Sequence, residues 1–174
     1  MFRSTLTALV VSAALPAAVF AQADLTDPQM AHVAVTASNI DIEYAHLALA
    51  FSQNESVREF AQTMIRDHSA VNEQVFELAQ RLGVTAQDNP LSRQLIEQSK
   101  QVKDRLSRLR GGEFDRAYVE NEAQYHQTVN GVVADGFIPN ADNGEVKQAF
   151  QAALQIFRAH QEHAESLVQS VARR

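Results

Sequence analysis

The sequence predicts an all-α protein: an up-and-down bundle of four long helices with one additional, shorter crossover helix. Three observations carry that prediction. Apolar residues recur at three- and four-residue spacing through every long segment after residue 24, which is the period of one helix face. No segment alternates apolar and polar residues as a half-buried strand does. Nearly all of the six glycines and four prolines fall where the periodic segments begin or end.

The first helix opens at Asp27-Pro28, an N-cap followed by proline at the first helical position. Val33, Ala37, Ile40, Tyr44, Leu47 and Phe51 carry its stripe to about Ser52. The second opens on the capping-box pattern Ser56-Val57-Arg58-Glu59. Its stripe reads Val57, Ala61, Met64, His68, Val71, Val75, Leu78 and Leu82, and Gly83 closes it. Asn89-Pro90 begins the shorter helix, with Leu91, Leu95, Val102, Leu106 and Leu109 inward and Gly111-Gly112 as its stop. The fourth runs from Phe114 through Tyr118, Glu122, Tyr125 and Val129 to about Ala134. Gly136 and Pro139 mark a turn over residues 135–143, with Gly144 just beyond. The last helix sets Val146, Ala149, Ala153, Phe157, His160, Ala164, Leu167 and Val171 on one face. At about 1.5 Å per residue the third helix can travel the length of the bundle. It is either a crossover that lets helices two and four run parallel, or one rod of a plain five-helix up-and-down array.

The first residues read as an export signal. Arg3 gives a positive start, Leu6 to Phe20 is almost wholly apolar or small, and Ala21-Gln22-Ala23 offers a signal peptidase small residues. We expect residues 1–23 to be cleaved and residues 24–174 to form a single domain in the periplasm. The apolar run is short for a bilayer span, and no transmembrane segment is expected after cleavage. The chain has no cysteine, which excludes a lipoprotein anchor, disulfides and thiolate metal sites. Losing Arg3 leaves a net charge of −7, an acidic balance that argues against nucleic acid as a partner. Protein partners are not legible, and self-association into a homo-oligomer stays open.

Within this frame the polar residues at helix midpoints stand out. His68 sits between Met64 and Val71 where a leucine is expected, and His160 sits likewise between Phe157 and Ala164. His126 shares a face with Glu122, Val129 and Val133, Glu43 shares one with Ile40 and Leu47, and Asp67 flanks His68. A bundle brings such positions to one depth, where they form either a metal site or a hydrogen-bond network. Imidazole with carboxylate suits one ion of zinc, iron, manganese or copper. The expected ligands are Glu43, His68, His126 and His160, with Asp67 or Glu122 close by. A di-iron carboxylate centre needs Glu-x-x-His on two helices. Ile65 precedes His68 by three, Phe157 precedes His160 by three, and Glu122 lies four before His126, so that chemistry is disfavoured. His163 rotates off the stripe, His32 and His46 lie on flanks, and Lys100, Lys103, Arg105, Arg108 and Arg110 read as a solvated face.

Met64-Ile65-Arg66-Asp67-His68, then Phe114-Asp115-Arg116-Ala117-Tyr118 with His126 eight residues later, then Arg158-Ala159-His160, follow the order and spacing of a known group. From about Asp27 to Leu167 the chain resembles the ferritin-like bacterial export family called domain-of-unknown-function family four-one-four-two. The resemblance implies a ferritin-like bundle in the envelope of a Gram-negative bacterium, with Glu43 at the family's acidic position in the first helix. It implies no settled activity. The family usually shows Leu-Pro where this chain has Leu154-Gln155, a loss that should straighten the last helix and shift His160 relative to its partners.

Three function classes follow: a periplasmic metal-binding bundle, a non-catalytic envelope or stress-response protein whose polar cluster is structural, and a ferritin-like redox enzyme. The missing Glu-x-x-His pairs place the enzyme last. Expressed in a Gram-negative host, the protein should appear in the periplasmic fraction lacking its first 21 to 23 residues. Intact-mass measurement checks this, and a soluble product retaining Met1 to Ala21 contradicts it.

Overall fold

The computed structural model describes residues 25–173, so the expected leader lies outside the described residues. Every regular element among the described residues is helical. Asp27–Phe51 form α1, Glu55–Leu82 α2, Pro90–Ser107 α3 and Gly111–Gly131 α4. The chain continues from α4 through six π-helical residues, Val132–Phe137, into a single turn, α5 (Ile138–Asn140), and Gly144–Val171 form α6.

Cross-links between the helices fix their directions. Arg58 donates to the Leu49 carbonyl while His68 meets Ser38, so α1 and α2 are antiparallel. Asn89 donates to Gln29 O and Lys103 pairs with Glu43, so α3 runs alongside α1 in the same direction. Phe114 packs on Phe51 and the Tyr125 hydroxyl donates to Ala37 O, which sets α4 antiparallel to α1. Phe137 against Phe150 and Asn130 against Phe157 set α6 antiparallel to α4. Helices α2 and α4 therefore run parallel, and α3 is the crossover, not an equal rod of a five-helix array. It packs chiefly on α1 and contributes Leu91, Leu95 and Leu106 to the core from that side.

The caps explain most shifts of boundary. Thr26, not Asp27, is the N-cap of α1, and its N–H donates to Gln29 Oε1 at 3.1 Å. Asp27 is free to accept from Asp142 N and Asn143 N, tying the start of α1 to the start of α6. α2 is capped by Asn54, whose side chain accepts from Ser56 N, so the expected box at Ser56 lies inside the first turn. α4 begins at Gly111, three residues earlier than the sequence suggests, because Gly111 takes φ +54° and admits the turn directly from α3.

Residues 135–140, expected as part of an open turn, are instead helical. A proline ring clashes with the carbonyl four residues back in an α-helix. The widened π turns just before Pro139 relieve that clash, so the break is confined to residues 141–143. In α6, Phe150 and Leu154 are buried while Ala149 and Ala153 are only half-buried. α6 packs on both α4 and α2, so its inward face is wider than the single stripe read from the sequence. The helix is uninterrupted at Gln155, and His160 still reaches the interior.

Phe60, Met64, Leu106, Phe114 and Tyr118 fill the end of the bundle near the α1–α2 link, each with no exposed surface. Phe60→Ala should cost about 3–5 kcal/mol, the usual range for emptying a closed aromatic site. Phe76, 63% exposed on the outside of α2, should tolerate the same change within about 0.5 kcal/mol. Urea denaturation of both variants checks the contrast.

Candidate metal centre

Four helices deliver one buried polar layer. α1 supplies Ser38 and Asp41, α2 Asp67 and His68, α4 Glu122 and His126, and α6 His160. Asp41 and Glu122 have no exposed surface, and all three histidines are buried. The imidazole centroids lie 5.6 Å apart for His68 and His126, and 5.3 Å from His160 to each of the others. Phe157 stacks on the His68 ring at 5.0 Å and holds its plane.

In each imidazole the two nitrogens have different tasks. His126 Nδ1 lies 3.0 Å from the Glu122 backbone oxygen. A carbonyl only accepts, so Nδ1 carries the proton and Nε2 keeps its lone pair. His160 Nε2 donates to Asp67 Oδ2 at 3.0 Å, which leaves the lone pair on Nδ1. His68 Nδ1 is held 3.2 Å from Ser38 Oγ. The remaining nitrogens, His68 Nε2, His126 Nε2 and His160 Nδ1, have no hydrogen-bond partner, and neither do both oxygens of Asp41 and Oε2 of Glu122. Asp41 Oδ2 lies 2.7 Å from His68 Nε2 and 3.2 Å from His126 Nε2, yet neither contact is aligned as a hydrogen bond. Ligand atoms of His68, His126 and His160 fall within 4.8 Å of one another, as do those of Asp41, Glu122 and His126. His126 belongs to both groups and links them.

Burial keeps His126 and His160 in the neutral, ligating form. Burial lowers His126 to about 4; Asp41 opposes that shift, and His68 and His160 add to it. Burial also lowers His160, against the hydrogen bond to Asp67. Burial alone would raise Asp41, but charge at His68 and His126 outweighs it and the carboxyl lies below its ordinary range. Glu122 is pushed well up, first by burial and then by the neighbouring Asp41. Two carboxyls this close in a dry site cannot both ionise, so Glu122 holds the proton and Asp41 the charge. Tyr44, Tyr118 and Tyr125, which are all the tyrosines of the chain, surround this pair, and burial with the two acids raises their phenols.

A family model described as Domain of unknown function (DUF4142) matches residues 12–167. The chain belongs to this family. No curated protein and no solved structure matches it. The DUF4142 match covers every residue of the centre, from Ser38 to His160. The motif Arg66-Asp67-His68 within it has a physical reading: His68 faces the layer, Asp67 turns aside to anchor His160, and Arg66 Nε donates to Asp67 Oδ1 at 2.7 Å.

The structure brings together four of the six expected residues, His68, His126, His160 and Glu122, and places Asp67 behind His160. It separates Glu43, which is 52% exposed and paired with Lys103 of α3. The acid of α1 in the layer is Asp41. Sequence reasoning passed over it because it adjoins Ile40 on a stripe already assigned to apolar residues. α1 is covered by α2, α3 and α4, so its buried surface is wide enough for a second line, Ser38, Asp41, Ala45 and Ala48, at the same helical spacing. That line of small residues around one acid was the available signal. His46 is exposed, His32 half-buried, and His163 exposed against the edge of Phe60, all outside the layer.

Because the folded state holds His126 at about 4 instead of 6.5, the unfolded chain binds the extra proton first as pH falls. The neutral His126 contribution is complete above pH 6.5 and is lost as pH falls from 6.5 towards 4. Glu122 acts in the opposite sense above its ordinary value, so the comparison must isolate His126. The stability difference between wild type and His126→Gln should grow with pH across that window, by at most about 1.4 kcal/mol per unit, and level off above it. Urea curves at four pH values measure it.

Proposed function

We propose that this protein is an exported, ferritin-like helical bundle that holds one transition-metal ion at its centre through His68, His126, His160 and Asp41, with Glu122 beside them. The observation that carries the reading is the division of labour in the imidazoles. Each uses one nitrogen to fix its ring against a protein oxygen and presents the other, unpartnered, to a shared space beside an orphaned carboxylate. Histidine ligands are generally oriented in this way by hydrogen bonds behind them. A donor set of nitrogen and oxygen without sulfur suits zinc, iron, manganese or copper(II). Support for the ferritin-like arrangement comes from parallel α2 and α4 joined by the crossover α3. Support for export comes from the charged start and apolar run of the first residues. No described helix is long and apolar enough to cross a membrane.

A second reading rests on the short approach of Asp41 to His68 and His126: a metal-free network that fixes helix register in a non-catalytic envelope protein. Calorimetric titration with zinc, copper(II), manganese and iron(II), beside a denaturation curve, separates the two. In the metal reading wild type binds one ion, and His68→Ala abolishes binding at modest cost in stability. In the network reading neither protein binds, and the variant loses about 1–3 kcal/mol.

The choice of acid is tested separately. Asp41→Asn should weaken binding at least tenfold, while Glu43→Gln leaves it unchanged. Asp67→Asn, acting through His160, should weaken it by about 10- to 100-fold. Equal effects of the Asp41 and Glu43 changes would falsify the assignment of ligands.

A further inference from the structure

The same layer forms the inner wall of a cavity of about 440 Å³ that runs through the other half of the bundle. His68, His126 and Ser38 line its inner end, and Leu82, Val84 and Asn143 line the far end beside Thr26. From His68 to Leu82 it follows fourteen residues of α2, about 20 Å at the rise of an α-helix. Interiors of proteins normally leave few voids larger than a water molecule. Ligand sites occupy roughly 300–1,000 Å³ and are chiefly apolar with a few convergent polar groups.

The void has a cause in the sequence. Around the half of the bundle that holds Phe60, Met64 and Tyr118, large side chains meet and exclude space. In the other half α1 presents Ala34 and Ala37, and α6 presents Ala149 and Ala153, opposite Val75 and Leu78 of α2. Short side chains on facing helices cannot close the gap. This is why Val75, Leu78 and Leu82 are only half-buried despite their place on the stripe, and why Val84 is exposed at the mouth.

We propose that this cavity binds one uncharged, single-chain lipophile, an extended hydrocarbon whose polar end meets the imidazole wall. The length of the cavity, parallel to the helix axes, suits a linear chain, and its width also admits an elongated apolar probe. Its sides are chiefly aliphatic along the α2 stripe, with Gln74, Gln98 and Ser99 among the few polar side chains, and its inner end is closed by His68 and Ser38. At the mouth the ionisable side chains that line it are Asp27 and Asp142, which disfavours an anionic head group. The charge of Asp41 lies directly behind the lining imidazoles of His68 and His126, which disfavours a carboxylate there as well. The inference uses the cavity alone and does not depend on a metal ion.

The test uses metal-free protein and displacement of N-phenyl-naphthylamine, an uncharged fluorescent probe, by dodecanol and by laurate. Wild type should bind the probe saturably, with one equivalent displaced by dodecanol and laurate at least tenfold less effective. Ala153→Phe on α6 and Val75→Phe on α2 each put an aromatic ring into the void, and each should weaken dodecanol binding at least tenfold. Helical circular dichroism confirms that each variant is folded, and an unchanged metal titration keeps this result separate from the reading of the centre. Absence of saturable binding, or binding that survives both substitutions, overturns the proposal. Laurate matching dodecanol overturns the uncharged head group. The apolar residues 6–20 precede the mouth in sequence, so full-length chain and chain beginning at Leu25 are compared. Probe binding by the shorter chain alone makes the leader the occupant and removes the lipophile.

Discussion

A carboxylate with no exposed surface, in the middle of a helical bundle and without a lysine or arginine beside it, is the constraint around which this protein is arranged. Ionised Asp41 is tolerable only because imidazoles from α2 and α4 face it and a protonated Glu122 stands next to it. Those neighbours are themselves buried and must be satisfied in turn, which draws in Ser38, the Glu122 backbone carbonyl, and Asp67 with Arg66 behind it. The chain of dependence crosses all four core helices. Sliding any one of them by a turn would leave buried polar atoms facing hydrocarbon, so the layer fixes register where aliphatic packing alone would permit slippage.

The layer also divides the bundle into unlike halves. On one side aromatic and large aliphatic side chains from α1, α2, α3 and α4 pack closely around Phe60 and Tyr118, with ring pairs at Phe51–Phe114 and Phe114–Tyr118. On the other side alanine and valine face each other across open space. The stability of a cysteine-free chain of this size therefore rests unevenly on its length. The close-packed half holds the fully closed aromatic sites of Phe60, Phe114 and Tyr118. The other half is held at its end by polar links, Asp27 to the start of α6 and Arg81 to Glu145.

Much of this was legible in the sequence. Helical period alone identified every long element, and His68 and His160 announced themselves by occupying positions where the stripe demands a leucine. The crossover was legible as an alternative because the length of α3 matches the bundle. What could not be read was rotation. Glu43 and Asp41 lie two residues apart, about 200° around the helix, and which one faces inward depends on how many neighbours α1 has. The sequence shows an apolar stripe but not its width, and the same limit hid Phe150 and Leu154. The π segment was missed for a different reason. Gly136 and Pro139 are ordinary turn residues, and only the continued packing of Val133 and Phe137 against the core keeps the backbone helical through them.

Among the three anchors behind the imidazoles, two can act in one direction only. The Glu122 carbonyl and the ionised Asp67 carboxylate accept and never donate, so they lock His126 and His160 into single tautomers. Ser38 differs, because a hydroxyl rotates and serves as donor or acceptor alike. His68 is thus the one ring of the three whose proton can change sides without breaking a contact. With Ser38 donating, its N–H lies towards Asp41; with Ser38 accepting, a lone pair lies there instead. A single rotor on α1 gives the centre two states, one suited to a bare carboxylate and one suited to a cation, with no movement of the backbone.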